Sequence, residues 1–140
     1  MISTADPARP APADVERLVR SFVDRYVEEN RSVLITSAFD VAYGGCGPFA
    51  ECLTEEVRQA FVGVRVQDRD TCDMLADDPC LPHPEGYDYD FHVYVEVETS
   101  TGPLFYDAVT PQGVPYPSML SFNAEQVRLA RAFGDRETED

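Results

Sequence analysis

The most constraining feature of this 140-residue chain is a pair of short segments in which apolar and polar residues alternate. They read HVYVEVE at residues 92–98 and PLFYDA at residues 103–108. Alternation with a period of two is typical of β-strands that bury one face. The residues between the segments include a glycine and fit a short turn. We therefore predict an antiparallel hairpin.

The requirement to bury the valines sets the register of this hairpin. If Glu98 pairs with Pro103, three apolar pairs form on one face, namely Val93–Ala108, Val95–Tyr106 and Val97–Leu104. The other face then pairs Tyr94 with Asp107 and brings Asp107 diagonal to His92, at about 7–8 Å. A slip of one residue would turn the valines to solvent. The register that buries the valines is thus the one that lets Asp107 contact His92.

A second unusual stretch is VAYGGCGPFAECL, residues 41–53, in which glycines flank a single cysteine. The apolar residues that follow recur at helical spacing, and Pro48 is well tolerated in a first helical turn. We predict a helix over residues 47–61, with Cys46 at its N-terminus.

A cysteine at that position has the chemistry of a nucleophile. The positive end of the helix dipole stabilises a thiolate. Backbone N–H groups near Cys46 and Gly47 can stabilise a developing oxyanion. Gly45 and Gly47 leave room for a substrate backbone, and Tyr43 is a candidate second oxyanion donor.

Such a nucleophile needs a base and a group that orients the base. The chain has two histidines, His83 and His92. The hairpin register makes His92 the candidate base and Asp107 its orienting group. Asp90, which precedes the strand, is the alternative orienting group.

The motifs GGCGPFAECL, HVYVEV and FYDAV together resemble the Cys–His–Asp set of the papain-like superfamily, in its transglutaminase-like and NlpC-type branches. The resemblance covers about residues 41–110. It implies an α+β fold with N-terminal helices packed on a small antiparallel sheet. It also implies thioester chemistry on an amide or ester, with Cys46 as nucleophile, His92 as base and Asp107 as orienting group. Tyr94 takes the aromatic position two residues after the histidine, where Trp is commoner, and is a candidate substrate contact.

The remaining segments complete the predicted organisation. A helix with Asp14 as its cap should run to about Asn30. Residues 32–39 are a short strand or an extended approach to the glycines, and a strand is expected at 62–66. A Pro/Gly loop should follow the hairpin, and Asn123 should cap a last helix that ends at Gly134. We expect one domain over 13–134, with a flexible arm at 1–12, an acidic loop insertion at 68–90 and a polar tail at 135–140.

The charge balance limits the partners. The chain has 26 acidic and 11 basic residues, a net charge of −15, which disfavours nucleic acid and anionic membranes. We expect a peptide or amide substrate, and the acidic runs could select a basic one. No apolar run approaches the roughly 20 residues of a membrane span. Without a secretion signal, the expected location is the cytoplasm. The sequence leaves the oligomeric state open.

Several other interpretations are possible from the residues alone. Cys72, Cys80 and His83 lack the tight spacing of zinc ligands, so we expect neither a metal nor a cofactor. A disulfide between Cys72 and Cys80 would hold the acidic insertion together. Cys52 has no assigned role. The functional alternative is a non-enzymatic acidic interaction protein, an inhibitor or accessory factor from a phage or bacterium, on the same fold with a degenerate site.

Overall fold

The computed structural model describes residues 8–138. Over this range the chain has an α+β fold with five α-helices and one antiparallel sheet of four strands. The helices are α1 (Pro12–Glu29), α2 (Ala38–Gly44), α3 (Cys46–Ala60), α4 (Thr71–Asp77) and α5 (Ser121–Thr138). The strands are β1 (Val66–Asp70), β2 (Val93–Thr99), β3 (Gly102–Asp107) and β4 (Thr110–Val114). None of the helices in the described range is long and apolar enough to cross a membrane.

Strands β2 and β3 form the predicted hairpin in the predicted register. Val95 lies opposite Tyr106, and Glu98 lies opposite Pro103. The sheet order is β1-β2-β3-β4, so the hairpin occupies its centre. Each of its two strands therefore has a neighbouring strand on both sides. His92 directly precedes β2, and Asp107 ends β3.

Apolar side chains cover both faces of the sheet. One face packs under α1 and α3. Its fully buried residues include Val15, Val19, Leu53, Val57, Val95, Val97 and Tyr106. The opposite face carries a second, smaller cluster of Met74, Tyr94, Phe105 and Leu120. The alternation in β2 predicted only the first of these two clusters.

The first helix begins earlier than predicted. It starts at Pro12, with Pro in the first turn and no side-chain cap, and Asp14 pairs with Arg17 instead of capping. The carbonyl of Pro10 accepts a hydrogen bond from the Ser100 N–H. The end of the predicted arm is thus tied to the hairpin turn, and residues 1–7 lie outside the described range.

The segment at 32–39 was predicted to be a short strand or an extended approach to the glycines, and it contains no strand. Residues 32–37 are irregular, and helix α2 begins at Ala38. Helix α2 begins after Ser37, whose side chain accepts the Asp40 N–H, while Asp40 accepts the Thr36 N–H and hydroxyl. This reciprocal capping favours a helix over an extended chain. Helix α3 agrees with its predicted range to within one residue.

The acidic insertion is partly regular. The strand predicted at 62–66 lies instead at Val66–Asp70, and helix α4 follows it directly. Asp70 and Asp73 form a capping box that starts α4. Prediction of 68–90 as a loop throughout was wrong, because these acidic residues act as helix caps.

The C-terminal third also holds more structure than predicted. Strand β4 lies within the expected Pro/Gly loop. Helix α5 begins at Ser121 rather than at an Asn123 cap, and it continues through Gly134 to Thr138. Most of the predicted polar tail is therefore helical, and residues 139–140 lie outside the described range.

Strand β4 provides a test of the close packing in the sheet. Gly113 has φ +76°, and a Cβ there would lie 2.6 Å from the ring of the buried Tyr106. Gly113→Ala should lower the free energy of unfolding by about 2–5 kcal/mol. Roughly 1–2 kcal/mol of this comes from the left-handed backbone and about 1–3 kcal/mol from overpacking. Urea denaturation measures the change.

Gly63→Ala is the matched control. Gly63 has φ +80°, but its Cβ would meet only an ordinary contact at 3.7 Å. This variant should lose only the backbone contribution, about 1–2 kcal/mol. Equal losses in the two variants would contradict the close packing of Tyr106 on Gly113.

Candidate active site

Cys46 is the first residue of α3, and one residue separates α3 from α2. The Gly45 N–H donates to the Val41 carbonyl at the end of α2, and the Gly45 carbonyl accepts the Phe49 N–H at the start of α3. Gly45 has no side chain to cap α3, so the first N–H groups of this helix have no side-chain acceptor. Such groups carry the positive end of the helix dipole.

The glycines around Cys46 are not required by the backbone conformation. None of Gly44, Gly45 and Gly47 has a positive φ. A Cβ at Gly44 or Gly47 would meet no atom within 4 Å. The space beside Cys46 is therefore open, in agreement with a backbone or substrate passing there.

His92 and Asp107 are brought together as the register predicted. His92 precedes β2, Asp107 ends β3, and both are buried. His92 Nε2 lies 2.9 Å from Asp107 Oδ2. The other carboxylate oxygen, Oδ1, accepts the Val109 N–H at 3.1 Å. Since a carboxylate only accepts hydrogen bonds, Nε2 carries the hydrogen and Nδ1 is left as the acceptor nitrogen.

The Nδ1 atom of His92 is buried and makes no hydrogen bond with any residue in the described range. The half-buried Cys46 lies beside this ring, and its Sγ accepts the Val93 N–H at 3.4 Å. The contact between the thiol and the imidazole is weaker than a full hydrogen bond, as is common for nucleophile and base before substrate binds. Their proximity nevertheless shifts the pKa of both groups.

These two shifts have opposite directions. Burial alone raises the pKa of the Cys46 thiol, but His92 and the Val93 N–H lower it by more, so the net pKa lies below the ordinary 9.0. Burial alone lowers the pKa of His92, but Asp107 and Cys46 raise it by more, so the net pKa lies above 6.5. Each group stabilises the charged form of the other. Both shifts therefore favour the thiolate–imidazolium form of the pair over its neutral form.

Helix α4 holds the backbone of His92. The Thr71 N–H donates to the His92 carbonyl at 3.1 Å, and the His92 N–H donates to Thr71 Oγ1 at 2.8 Å. Thr71 is itself buried. On the other side, the Phe122 ring stacks on the imidazole with centroids 4.3 Å apart and planes 13° apart. Backbone clamp and ring stack together restrict the orientation of His92.

Asp90, the alternative orienting group, has a different partner. Gln126 donates from Nε2 to Asp90 Oδ2 at 3.3 Å and accepts the Asp90 N–H at 3.0 Å. The Tyr87 hydroxyl donates to the same Gln126 amide oxygen. Gln126 thus fixes the segment before β2, and Asp107 is the carboxylate that contacts His92.

A cavity of about 340 Å³ opens beside Cys46. Its wall consists of Ala42, Tyr43, Gly44, Cys46, Asp90, Phe91 and Phe122. Tyr43 is 42% exposed and stacks against Phe39. A larger cavity of about 400 Å³, next to Met74 and Tyr116, is lined by neither cysteine nor histidine.

Two predicted features are not part of this cavity. Tyr94 is 1% exposed, packs in the second cluster and donates its hydroxyl to the Asp70 carbonyl, so the prediction that it contacts substrate was wrong. Cys72 and Cys80 are free, exposed thiols rather than a disulfide. In residues 8–136, no three His, Cys, Asp or Glu side chains cluster as metal ligands would.

Sequence analysis missed three residues that support the site: Thr71, Phe122 and Gln126. The Asp-x-x-Asp spacing at residues 70–73 could have located the start of α4, and with it Thr71. No local signal marks Phe122 or Gln126, because both contact the site from the far end of the chain. Comparison of this chain with protein-family models, curated proteins and solved structures gives no match.

The opposed pKa shifts predict how the thiol titrates. The thiolate absorbance of Cys46, taken as the difference between the unaltered protein and Cys46→Ser, should rise with a midpoint below pH 9.0. His92→Ala should move that midpoint upward, because burial then acts without the opposing charge. An unchanged midpoint in His92→Ala would refute the coupling of the two groups.

Thr71 should act as a positioning residue. Thr71→Val leaves the buried His92 N–H without its acceptor and should lower the free energy of unfolding by about 1–3 kcal/mol. It should also move the Cys46 titration midpoint toward the ordinary value, because the ring is no longer held. Thr71→Ser keeps the hydroxyl and should restore the midpoint. A loss of stability without a change in midpoint would mean that Thr71 serves the fold alone.

Proposed function

We propose that this chain is a cysteine-dependent hydrolase or acyltransferase of the papain-like type, acting on an amide bond through a thioester on Cys46. The single observation that carries the proposal is that only one of the two ring nitrogens of His92 makes a full hydrogen bond in the described part of the chain. A buried structural histidine normally has both ring nitrogens satisfied. Here Nε2 is bonded to Asp107, while Nδ1 has no full hydrogen bond within the described residues. The half-buried thiol of Cys46 is close enough to this imidazole that each group shifts the pKa of the other.

The proposed reaction has two halves, formation of the thioester and its breakdown, and Cys46, His92 and Asp107 take part in both. His92 Nδ1 takes the Cys46 proton, and the thiolate attacks the amide carbonyl carbon. The tetrahedral intermediate collapses to a thioester as His92 returns the proton to the departing amine. In the second half, water (hydrolysis) or a second amine (acyl transfer) attacks the thioester carbonyl carbon. His92 takes the proton of this nucleophile and returns it to the Cys46 sulfur as the C–S bond breaks. Asp107 fixes the imidazole and stabilises its cationic form throughout.

The N-terminus of α3 would receive the oxyanion. Pro48 has no N–H, so the donors of the first turn are the N–H groups of Cys46 and Gly47. Gly45 provides no side chain that could compete for them. Tyr43 stands in the cavity wall and is a candidate for contact with substrate. The space over Gly44 and Gly47 is open, whereas a Cβ at Gly45 would contact Val41 at 3.6 Å and Ile35 at 3.8 Å, so the room predicted beside Gly45 is at Gly44 instead.

The overall arrangement supports the resemblance to the transglutaminase-like and NlpC-type branches. A cysteine begins a helix that packs on an antiparallel sheet, a histidine directly precedes one central strand, and an aspartate ends the next. The resemblance in the sequence was based on the same order of cysteine, histidine and aspartate. The proposed substrate is a peptide or other amide, and no cofactor enters the mechanism.

Alkylation by iodoacetamide at neutral pH tests the proposal, because the chain contains its own controls. Cys52, Cys72 and Cys80 are exposed, whereas Cys46 is only partly so. Exposure alone predicts that Cys46 reacts slowest. An activated thiolate predicts that Cys46 reacts faster than the others by on the order of tenfold or more. Peptide mapping by mass spectrometry after short reaction times gives the four rates separately.

Two variants complete the experiment. His92→Ala should slow alkylation of Cys46 at least to the rate of the exposed thiols and leave the other three rates unchanged. Cys46→Ala should remove the fast phase. Fast labelling of Cys72 or Cys80 at the rate of Cys46 would sink the proposal and favour the non-enzymatic interaction protein on the same fold.

A further inference from the structure

A second cavity lies next to the cavity at Cys46. It has a volume of about 310 Å³ and is lined by Leu34, Ile35, Asp40, Tyr43 and Gly44. The two cavities have Tyr43 and Gly44 in common, so they lie side by side along α2. We call the two adjacent cavities together the groove. A substrate chain whose carbonyl reaches Cys46 could place its neighbouring residue in the second cavity.

Each half of the groove contains one carboxylate. Asp90 lines the half at Cys46, and Asp40 lines the other half. Neither forms an ion pair with an arginine in the part of the chain that the structure describes, although seven other acidic side chains there do. No arginine lines either cavity.

Neutral hydrogen bonds hold both carboxylates in place. Thr36 donates its N–H and its hydroxyl to Asp40 Oδ2 at 2.9 and 2.8 Å. These bonds lower the pKa of Asp40 below its usual value. The Gln126 amide holds Asp90. Neutral donors orient a carboxylate without cancelling its charge, so both remain available to a cation.

The rim of the groove is apolar. Leu34 is 81% exposed, and Phe91 is 59% exposed. Phe39 stacks on Tyr43 with ring centroids 4.1 Å apart. Exposed apolar groups around a concave site are typical of ligand contact.

We propose that this groove selects a peptide with a cationic side chain, arginine or lysine, next to an apolar residue, and presents its amide to Cys46. This inference rests on the proposed function and adds the substrate class to it. Two unpaired carboxylates attract a cation and reject an anion, and the apolar rim packs against the neighbouring side chain. Specificity here arises from charge complementarity in a groove whose walls carry no positive side chain.

Peptidyl chloromethyl ketones test this choice, because Cys46 displaces their chloride and forms a stable thioether. Three probes share an acetyl-Leu-X sequence, in which X is Arg, citrulline or Glu. Citrulline has nearly the shape of Arg without its charge. The Arg probe should alkylate Cys46 on the order of tenfold faster than the citrulline probe, and the Glu probe should be slowest. Equal rates for Arg and citrulline would overturn the inference.

The variants Asp40→Asn and Asp90→Asn locate the source of the preference. Each removes one charge from the groove, and a fall of the Arg-to-citrulline ratio toward one in either variant supports the inference. Asp24→Asn, on the exposed surface of α1, changes the net charge equally and should leave the ratio unchanged. A ratio that survives in both groove variants, or falls equally in Asp24→Asn, would overturn the inference.

Iodoacetamide separates this test from that of the proposed function. It has no charge and no peptide, so its rate at Cys46 measures thiol activation alone. Dividing each ketone rate by the iodoacetamide rate of the same variant removes changes in the thiol. Fast, His92-dependent alkylation without preference for Arg defeats only the substrate class. Slow alkylation of Cys46 by iodoacetamide defeats the proposed function itself.

Discussion

The hairpin register is the constraint on which the rest of the molecule depends. The valines of β2, with Leu104 and Tyr106 of β3, lie on the face under α1 and α3, and a shift of one residue would turn this set to the other face. The same register brings Asp107 to His92. Folding energy thus determines the position of two polar groups that have little part in producing that energy. Substitutions that weaken the valine face should disturb the site as well.

The hairpin buries the polar pair of His92 and Asp107. His92 and Asp107 are almost fully buried, and the imidazole lies against Phe122 on one side. In such surroundings an unpaired Nδ1 destabilises the folded state, because it has lost water and gained no partner. Three other buried polar atoms in the described residues also lack a partner, in Thr54, Tyr106 and Asn123. The imidazole of His92 differs from them in having a thiol beside it, and this is the feature on which the proposed function rests.

Periodicity predicted the elements whose signal lies within the element itself. The period of two was sufficient to predict the hairpin of β2 and β3, and the helical spacing was sufficient to predict α3. The register of the hairpin then predicted the contact of His92 with Asp107. Prediction failed where distant parts of the chain decide the outcome. Tyr94 lies on the polar face by alternation, yet Leu120 and Met74 cover it. Helix α2 was missed because its apolar approach resembles a strand, and its capping by Ser37 and Asp40 is a weaker signal.

Gly45 joins the wall of the groove to the candidate nucleophile. It is the one residue between α2, which supplies Tyr43 and Gly44 to the wall, and α3, which supplies Cys46. The chain path from the wall of the groove to the sulfur is therefore only two peptide bonds long. Because glycine has wide conformational freedom, the two hydrogen bonds of Gly45, to the Val41 carbonyl and from the Phe49 N–H, are what fix the angle between the two helices. A substitution that loosened either bond would change the position of the wall relative to the sulfur without touching either one.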